Sequence, residues 1–170
     1  MSGTDFQAVY NALRERILAL CVHLTGNRAL AEDAFQETFL LVHANLGGFR
    51  GEADVGTWVY RIAVRVCLRL RENERRQRRV LAQAEPAATG STSSPALGNA
   101  DLLGALESLD DDHRTVLALM AVKGLSGPQI ARTLGVPIGT VHSRAHRARA
   151  LLRAALESTS QLDASDQLRD

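Results

Sequence analysis

The sequence predicts an all-α protein, two small helical domains joined by a flexible linker, with a helix-turn-helix in the C-terminal one. Three observations predict it. Apolar residues recur three and four apart from Asp5 to about Leu70 and again from Leu102 to Leu152, the period of a helix with one face buried. Residues 84–100, AEPAATGSTSSPALGNA, carry a single charge and are rich in Ala, Ser, Thr, Gly and Pro, the composition of a flexible tether. And Leu125 to Arg153, LSGPQIARTLGVPIGTVHSRAHRARALLR, reads as two helices about a tight glycine-containing turn. The expected division is an N-terminal domain over 1–83, the linker 84–100, a second domain over 101–157 and a polar, frayed tail over 158–170.

In chain order, Phe6, Val9, Tyr10, Leu13, Ile17, Leu20, Cys21 and Leu24 place one amphipathic helix from Asp5 to about Thr25, ending near Gly26-Asn27. A second helix is expected from Arg28 to about Leu46. Its inner face is Ala31, Ala34, Phe35, Thr38 and Val42, and another face carries Asp33, Gln36, Glu37 and Leu40. A leucine exposed among acids and an amide suits a partner that is basic and partly apolar. The stretch GGFRGEADVG, 47–56, holds four glycines and cannot continue a helix; a loop there is a candidate for binding. Helix is expected to resume at Thr57 as the cap, with Val59, Ile62, Ala63, Val66, Cys67 and Leu70 buried. Trp58, Tyr60, Arg61, Arg65 and Arg69 would then lie on or beside the loop-facing surface, and aromatics interleaved with arginine can stack on unpaired bases and follow a phosphate backbone. The competing assignment makes Trp58 a core anchor and Tyr60 an interface filler.

Beyond the linker, Leu102, Leu103, Leu106 and Leu109 predict a helix, and Asp110-Asp111-Asp112 suits the start of the next, which holds Val116, Leu117, Leu119, Met120 and Val122 and ends at Gly124. In the helix-turn-helix, Ser126 or Gly127 caps a short helix with Pro128 in its first turn, where the missing N–H costs nothing. That helix buries Ile130, Ala131 and Leu134 and stops at Gly135. The following helix buries Ile138, Val141, Ala145, Ala148 and Leu152 and presents Thr140, His142, Ser143, Arg144, His146, Arg147, Arg149 and Arg153. An ordinary helical hairpin with solvated arginines would share the pattern. The turn length, the absence of any acid from Gln129 to Arg153, and the short groups Gly139, Thr140 and Ser143 where a backbone meets phosphates favour a DNA-reading element.

Composition sets the bounds. Apolar residues make up 45% of the chain and aromatics only 4%, so aliphatic side chains are expected to do the packing. No apolar run is long enough to span a membrane and no signal peptide opens the sequence, which predicts a cytoplasmic protein. Cys21 and Cys67 lie in apolar helical patterns without CxxC spacing, and are expected as small buried hydrophobes rather than redox sensors or zinc ligands. A net charge of +1 hides segregation: residues 61–80 hold eight arginines against Glu72 and Glu74, while 101–112 hold Asp101, Glu107, Asp110, Asp111 and Asp112 and no base. This predicts two contacts to nucleic acid and separate acidic surfaces.

Two stretches carry a resemblance. AEDAFQETFLLVHANLGGFRGEADVGTWVYRIAVRV resembles the second conserved region of bacterial extracytoplasmic-function (ECF) sigma factors, and LDDDHRTVLALMAVKGLSGPQIARTLGVPIGTVHSRAHRARALL their fourth. Both occur in order and at the usual separation, covering about Tyr10 to Leu156 apart from the linker. The resemblance implies a factor that binds core RNA polymerase, directs it to specific promoters and helps melt the minus-ten element. It implies that Asp33, Gln36, Glu37 and Leu40 dock on the polymerase clamp. It implies that Phe49, Arg50, Trp58, Tyr60, Arg61 and Arg65 take the melted non-template strand of the minus-ten element, where flipping a base costs a few kcal/mol that stacking offsets. Thr140, His142, Ser143, Arg144, His146 and Arg147 match the helix that reads the minus-thirty-five element as duplex. The linker matches the segment that threads toward the polymerase active site, and an anti-sigma factor is the implied further partner. No cofactor or metal is implied.

Departures from the family pattern are visible. Arg65 stands where Asn is usual and Arg69 where an acid is usual, so the minus-ten preference does not transfer. Pro128-Gln129 replaces a usual acidic pair, and His142 stands where Lys or Arg is common; His146 falls at a variable position. His142 and His146 are spaced i, i+4, but no third zinc ligand is apparent. The alternative function is a stand-alone helix-turn-helix regulator whose N-terminal domain senses a ligand or dimerises, which would need neither the acid–amide stripe nor the aromatic–arginine region. An enzyme acting on nucleic acid finds no paired carboxylates, nucleophile–base arrangement or phosphate-binding glycine loop.

Overall fold

The structure, a computed structural model, describes residues 5–51, 54–84, 106 and 109–166. All regular elements among them are helical. They are α1 (Phe6–Thr25), α2 (Arg28–Asn45), a 3-10 turn (Leu46–Gly48), α3 (Val55–Ala84), α4 (Asp111–Ala121), α5 (Gly127–Leu134) and α6 (Ile138–Asp166). The linker over 85–100 and the helix expected around Leu102 and Leu103 lie outside the described residues.

Local chemistry sets the ends. Asp5 accepts from the N–H groups of Gln7 and Ala8, and Asn27 from that of Leu30, so both caps satisfy donors that have no partner inside the helix. Gly26 stops α1 in the left-handed region at φ 66°, its N–H returning to the Val22 carbonyl. α3 starts three residues earlier than expected because Asp54, not Thr57, supplies the cap. Asp54 Oδ2 accepts from the Thr57 N–H at 3.0 Å, and Thr57 is itself buried.

α1, α2 and α3 form one three-helix unit around Ile17, Leu20, Leu24, Ala31, Ala34, Val42, Val59 and Ala63. Each large aliphatic among these contributes about 1.5–3 kcal/mol by leaving water. The packing is not purely aliphatic. Phe6, Tyr10, Phe35 and Phe39 cluster where α1 meets α2, with Tyr10–Phe39 and Phe35–Phe39 ring centroids 4.8 and 5.0 Å apart in edge-to-face arrangements. A low overall count had not excluded local concentration. Cys21 and Cys67 are free, buried and adjacent across α1 and α3; the Cys21 thiol and burial together push the Cys67 thiol far above its ordinary range, so the pair behaves as small hydrophobes.

α4, α5 and α6 form the second unit, about Val116, Leu119, Ile130, Val141, Ala145 and Ala148. Its helices also pack on the first unit, α4 against α1 and α5 against α3, so that a single apolar cluster runs through both. α6 continues as helix to Asp166, where a frayed tail was expected from about residue 157.

Candidate nucleic-acid interface

The helix-turn-helix is built by caps at each joint. The Ser126 hydroxyl accepts from the Gln129 N–H at 3.4 Å while Gln129 Oε1 accepts from the Ser126 N–H at 2.9 Å, a reciprocal capping box with Pro128 inside the first turn. Gly135 ends α5 at φ 69°, and the Pro137 carbonyl receives the N–H of Thr140 at 2.9 Å to start α6. The two helices cross closely at Gly127, where an added Cβ would stand 3.4 Å from Ile138 Cδ1 and 3.7 Å from His142 Nε2. Ile138 is half exposed, against the expectation that it is buried, because it lies at the very start of α6 over that crossing.

On the outer face of α6, His142, Ser143, His146 and Arg147 are exposed, with Thr140 and Arg144 half-buried beside them. Arg144 is held by the Asp112 carboxylate, which fixes its guanidinium against α4. No group of three or more His, Cys, Asp or Glu able to hold a metal occurs among the described residues.

The N-terminal unit presents the other two sets. Asp33, Gln36 and Leu40 are exposed along α2, with Leu40 at 70%. Glu37 is half-buried and bound by Arg69 of α3. Phe49 and Trp58 pack with ring planes tilted by 38° and centroids 5.1 Å apart, and Trp58 lines a groove between α2 and α3 with Glu37, Leu41, Asn45, Ile62 and Arg65. Arg50 and Arg65 are exposed.

Tyr60 is not on that surface. It is 3% exposed, and burial raises its phenol above the ordinary value, with the Arg16 guanidinium acting in the opposite direction. The physical reason is that α3 buries two stripes. One faces α2; the other, Tyr60, Val64, Cys67 and Arg71, is buried at spacings of four, three and four. Arg61 is also engaged: its Nε and Nη2 donate to the Arg132 carbonyl at 3.1 and 2.6 Å.

The basic and acidic blocks, expected as separate surfaces, meet. Arg71 Nη1 donates to Asp111 Oδ1 at 2.8 Å, and Arg75 lies 3.4 Å from both oxygens of the same carboxylate. The opposite charges of 61–80 and 101–112 were the signal for this contact, but nothing in either stretch alone says that they pair.

Family models match both units: Sigma-70 region 2 over residues 9–77 and Sigma-70 region 4 over residues 99–152. The ECF RNA polymerase sigma factor SigW of Bacillus subtilis is 30% identical over 168 residues, which cover 89% of this chain and 88% of SigW. The chain belongs to the ECF sigma factors. RNA polymerase sigma-H factor of Pseudomonas aeruginosa is 33% identical, over 85% of this sigma factor and 82% of the relative. ECF RNA polymerase sigma factor SigE of Mycolicibacterium smegmatis is 35% identical over 86% of this chain, which spans 59% of that longer relative. Among solved structures, sigma factor RpoE of Bartonella quintana, in complex with the anti-sigma factor NepR, covers 90% of this sigma factor at 25% identity and a TM-score of 0.61. CnrH, in complex with the cytosolic domain of CnrY, shares the fold at 24% identity and a TM-score of 0.66.

Proposed function

We propose that this sigma factor binds core RNA polymerase, carries it to specific promoters and helps open the minus-ten element, leaving the chemistry of synthesis to polymerase. The observation that carries the reading is the presence of two open faces on one chain. One is the exposed Leu40 among Asp33, Gln36 and Glu37; the other is the exposed His142, Ser143, His146 and Arg147 of α6. A duplex-only regulator has use for the second face alone.

In this reading residues 1–83 hold polymerase and the melted strand, 84–100 tether, and 101–157 read the minus-thirty-five duplex. Asp33, Gln36, Glu37 and Leu40 dock on polymerase. Phe49, Arg50, Trp58, Arg61 and Arg65 receive the non-template strand, the tilted Phe49–Trp58 pair offering a ring face to a flipped base. Tyr60 supports that surface from beneath instead of touching the strand, given its burial. Thr140, His142, Ser143, Arg144, His146 and Arg147 contact the duplex. An anti-sigma factor, the partner seen with RpoE, is proposed to cover these faces until a signal arrives. No helix among the described residues is long and apolar enough to cross a membrane, in keeping with work in the cytoplasm.

The test is run-off transcription with core RNA polymerase on a genomic fragment library, with and without this protein. New discrete start sites that vanish with Arg147→Ala and with Gln36→Ala are the expected result. No new start sites, together with tight duplex binding by the chain alone, would move the assignment to a stand-alone regulator.

A further inference from the structure

The groove between α2 and α3 holds polar groups that the fold itself does not use up. Its volume is about 360 Å³, and Trp58, Ile62, Arg65 and Arg69 of α3 line it together with Glu37 and Asn45 of α2. That size is met in small-molecule sites, whose walls combine apolar and aromatic surface with a few placed polar groups. Arg69 Nη2 donates to Glu37 Oε1, which pins the carboxylate on the wall, and no donor among the described residues engages Oε2. Arg65 is exposed, and no acceptor among the described residues engages its guanidinium. Trp58 is backed by Phe49, centroids 5.1 Å apart and ring planes tilted by 38°. An unfilled guanidinium and a half-filled carboxylate therefore share one groove with an indole.

The four bases differ in what they offer such a set. Guanine alone presents two adjacent acceptors, O6 and N7, on one edge, which a guanidinium takes in bidentate fashion. It alone also presents two adjacent donors, N1–H and the N2 amino group, on its pairing edge, and these suit a carboxylate. Adenine sets an amino group beside its N7, so a guanidinium meets a second donor, and cytosine and thymine have no N7. We propose that the groove selects an unpaired guanine: Trp58 stacks on the ring, Arg65 donates to O6 and N7, and Glu37, positioned by Arg69, accepts from N1–H and N2. The proposal rests on the strand-binding reading above for the source of that guanine, the melted non-template strand. In duplex DNA the pairing edge is occupied by cytosine, so the groove takes the base only after melting. Glu37 is half-buried at the edge of its stripe and serves the groove, while Asp33, Gln36 and Leu40 face outward.

Trp58 is the only tryptophan of the chain, so its fluorescence reports on the groove directly. The full chain is titrated with single-stranded oligothymidylates that carry one guanine, adenine, cytosine or 7-deazaguanine, the last lacking the N7 acceptor. The guanine strand should bind about tenfold more tightly than the adenine, cytosine and all-thymine strands, the low end of what a bidentate base contact discriminates. 7-Deazaguanine should lose most of that preference in the parent, and in Arg65→Ala it should bind as guanine does. Arg65 is exposed, so the variant should keep the parent's helix content by circular dichroism. Equal affinity for all four bases, no binding of any, 7-deazaguanine bound as tightly as guanine by the parent, or a guanine preference that survives Arg65→Ala overturns the site. Run-off transcription with core polymerase separates this from the sigma reading. Start sites that do not respond when each guanine of the melted non-template strand is changed to adenine overturn the guanine site and leave the sigma reading standing. A guanine preference abolished by Arg65→Ala, with no start sites at all, supports the site and overturns the sigma reading of that face.

Discussion

Glu37 on α2 is bound by Arg69 on α3, so the acid–amide stripe proposed to meet polymerase is tied to the basic helix proposed to meet DNA. Both side chains are a third to a half exposed, which limits the pair to about 0–1 kcal/mol of stability. Its use is positional: it holds Glu37 against the wall of the groove that Trp58 and Arg65 also line.

Leu40→Ala separates docking from folding. A leucine 70% exposed contributes little to the core, so chemical denaturation should show a loss within about 0.5 kcal/mol. Transcript yield at a fixed low concentration of factor should nevertheless fall about tenfold, the effect of an apolar anchor lost from an interface. An equal loss in both assays would return Leu40 to a structural role.

The same chemical change should have opposite signs at two glycines of the helix-turn-helix. Gly135 sits at φ 69° with nothing within 4 Å of an added Cβ, so Gly135→Ala should cost about 1–2 kcal/mol from backbone strain alone. Gly139 lies inside α6 at ordinary φ, also with nothing within 4 Å, and Gly139→Ala should stabilise by about 0.5–1 kcal/mol. Urea midpoints of the two variants decide it.

Asp110 caps α4 through the His113 N–H at 2.9 Å, and that hydrogen bond holds its carboxyl below the ordinary 3.8. A carboxyl lowered on folding adds stability above its unfolded value, and that stability is lost as pH falls through the lowered one. Thermal melts from pH 6 downward (acidities chosen at about the carboxylate range) should therefore fall less steeply below about pH 4 in Asp110→Asn than in the parent. Asp110→Ala should cost about 1 kcal/mol at neutral pH through the lost cap.

Arg147→Ala should weaken duplex binding and reduce the slope of log affinity against log salt by about 0.9, the release of one phosphate's counterion. Ser143→Ala, which removes no charge, should leave that slope unchanged. Titrations at several salt concentrations read both.

Both ends of α1 and α5, the start of α2 and the turn of the helix-turn-helix were legible in the sequence because Asp5, Asn27, Ser126, Gly26 and Gly135 act on their own neighbours within four residues. The exposure of Leu40 and of the α6 face followed from period alone. Tyr60 did not, since a single-stripe reading assigns one buried face, and α3 is enclosed on two sides. The second side is buried partly by the other unit, whose approach is set by contacts between residues 61–75 and 111–132 that lie far apart in the chain. Arg71 shows the limit most clearly: an arginine in a basic run reads as solvated until its carboxylate partner comes from elsewhere.

The apolar cluster that passes from α1 and α3 into α4 and α5 leaves no seam at which half of the molecule could melt first. Heated, the chain should lose structure in one cooperative step. Cut within the linker, each half would have to stand on a core of fewer than about 85 residues, a size at which folded domains are marginal. Each half therefore lends the other part of its stability.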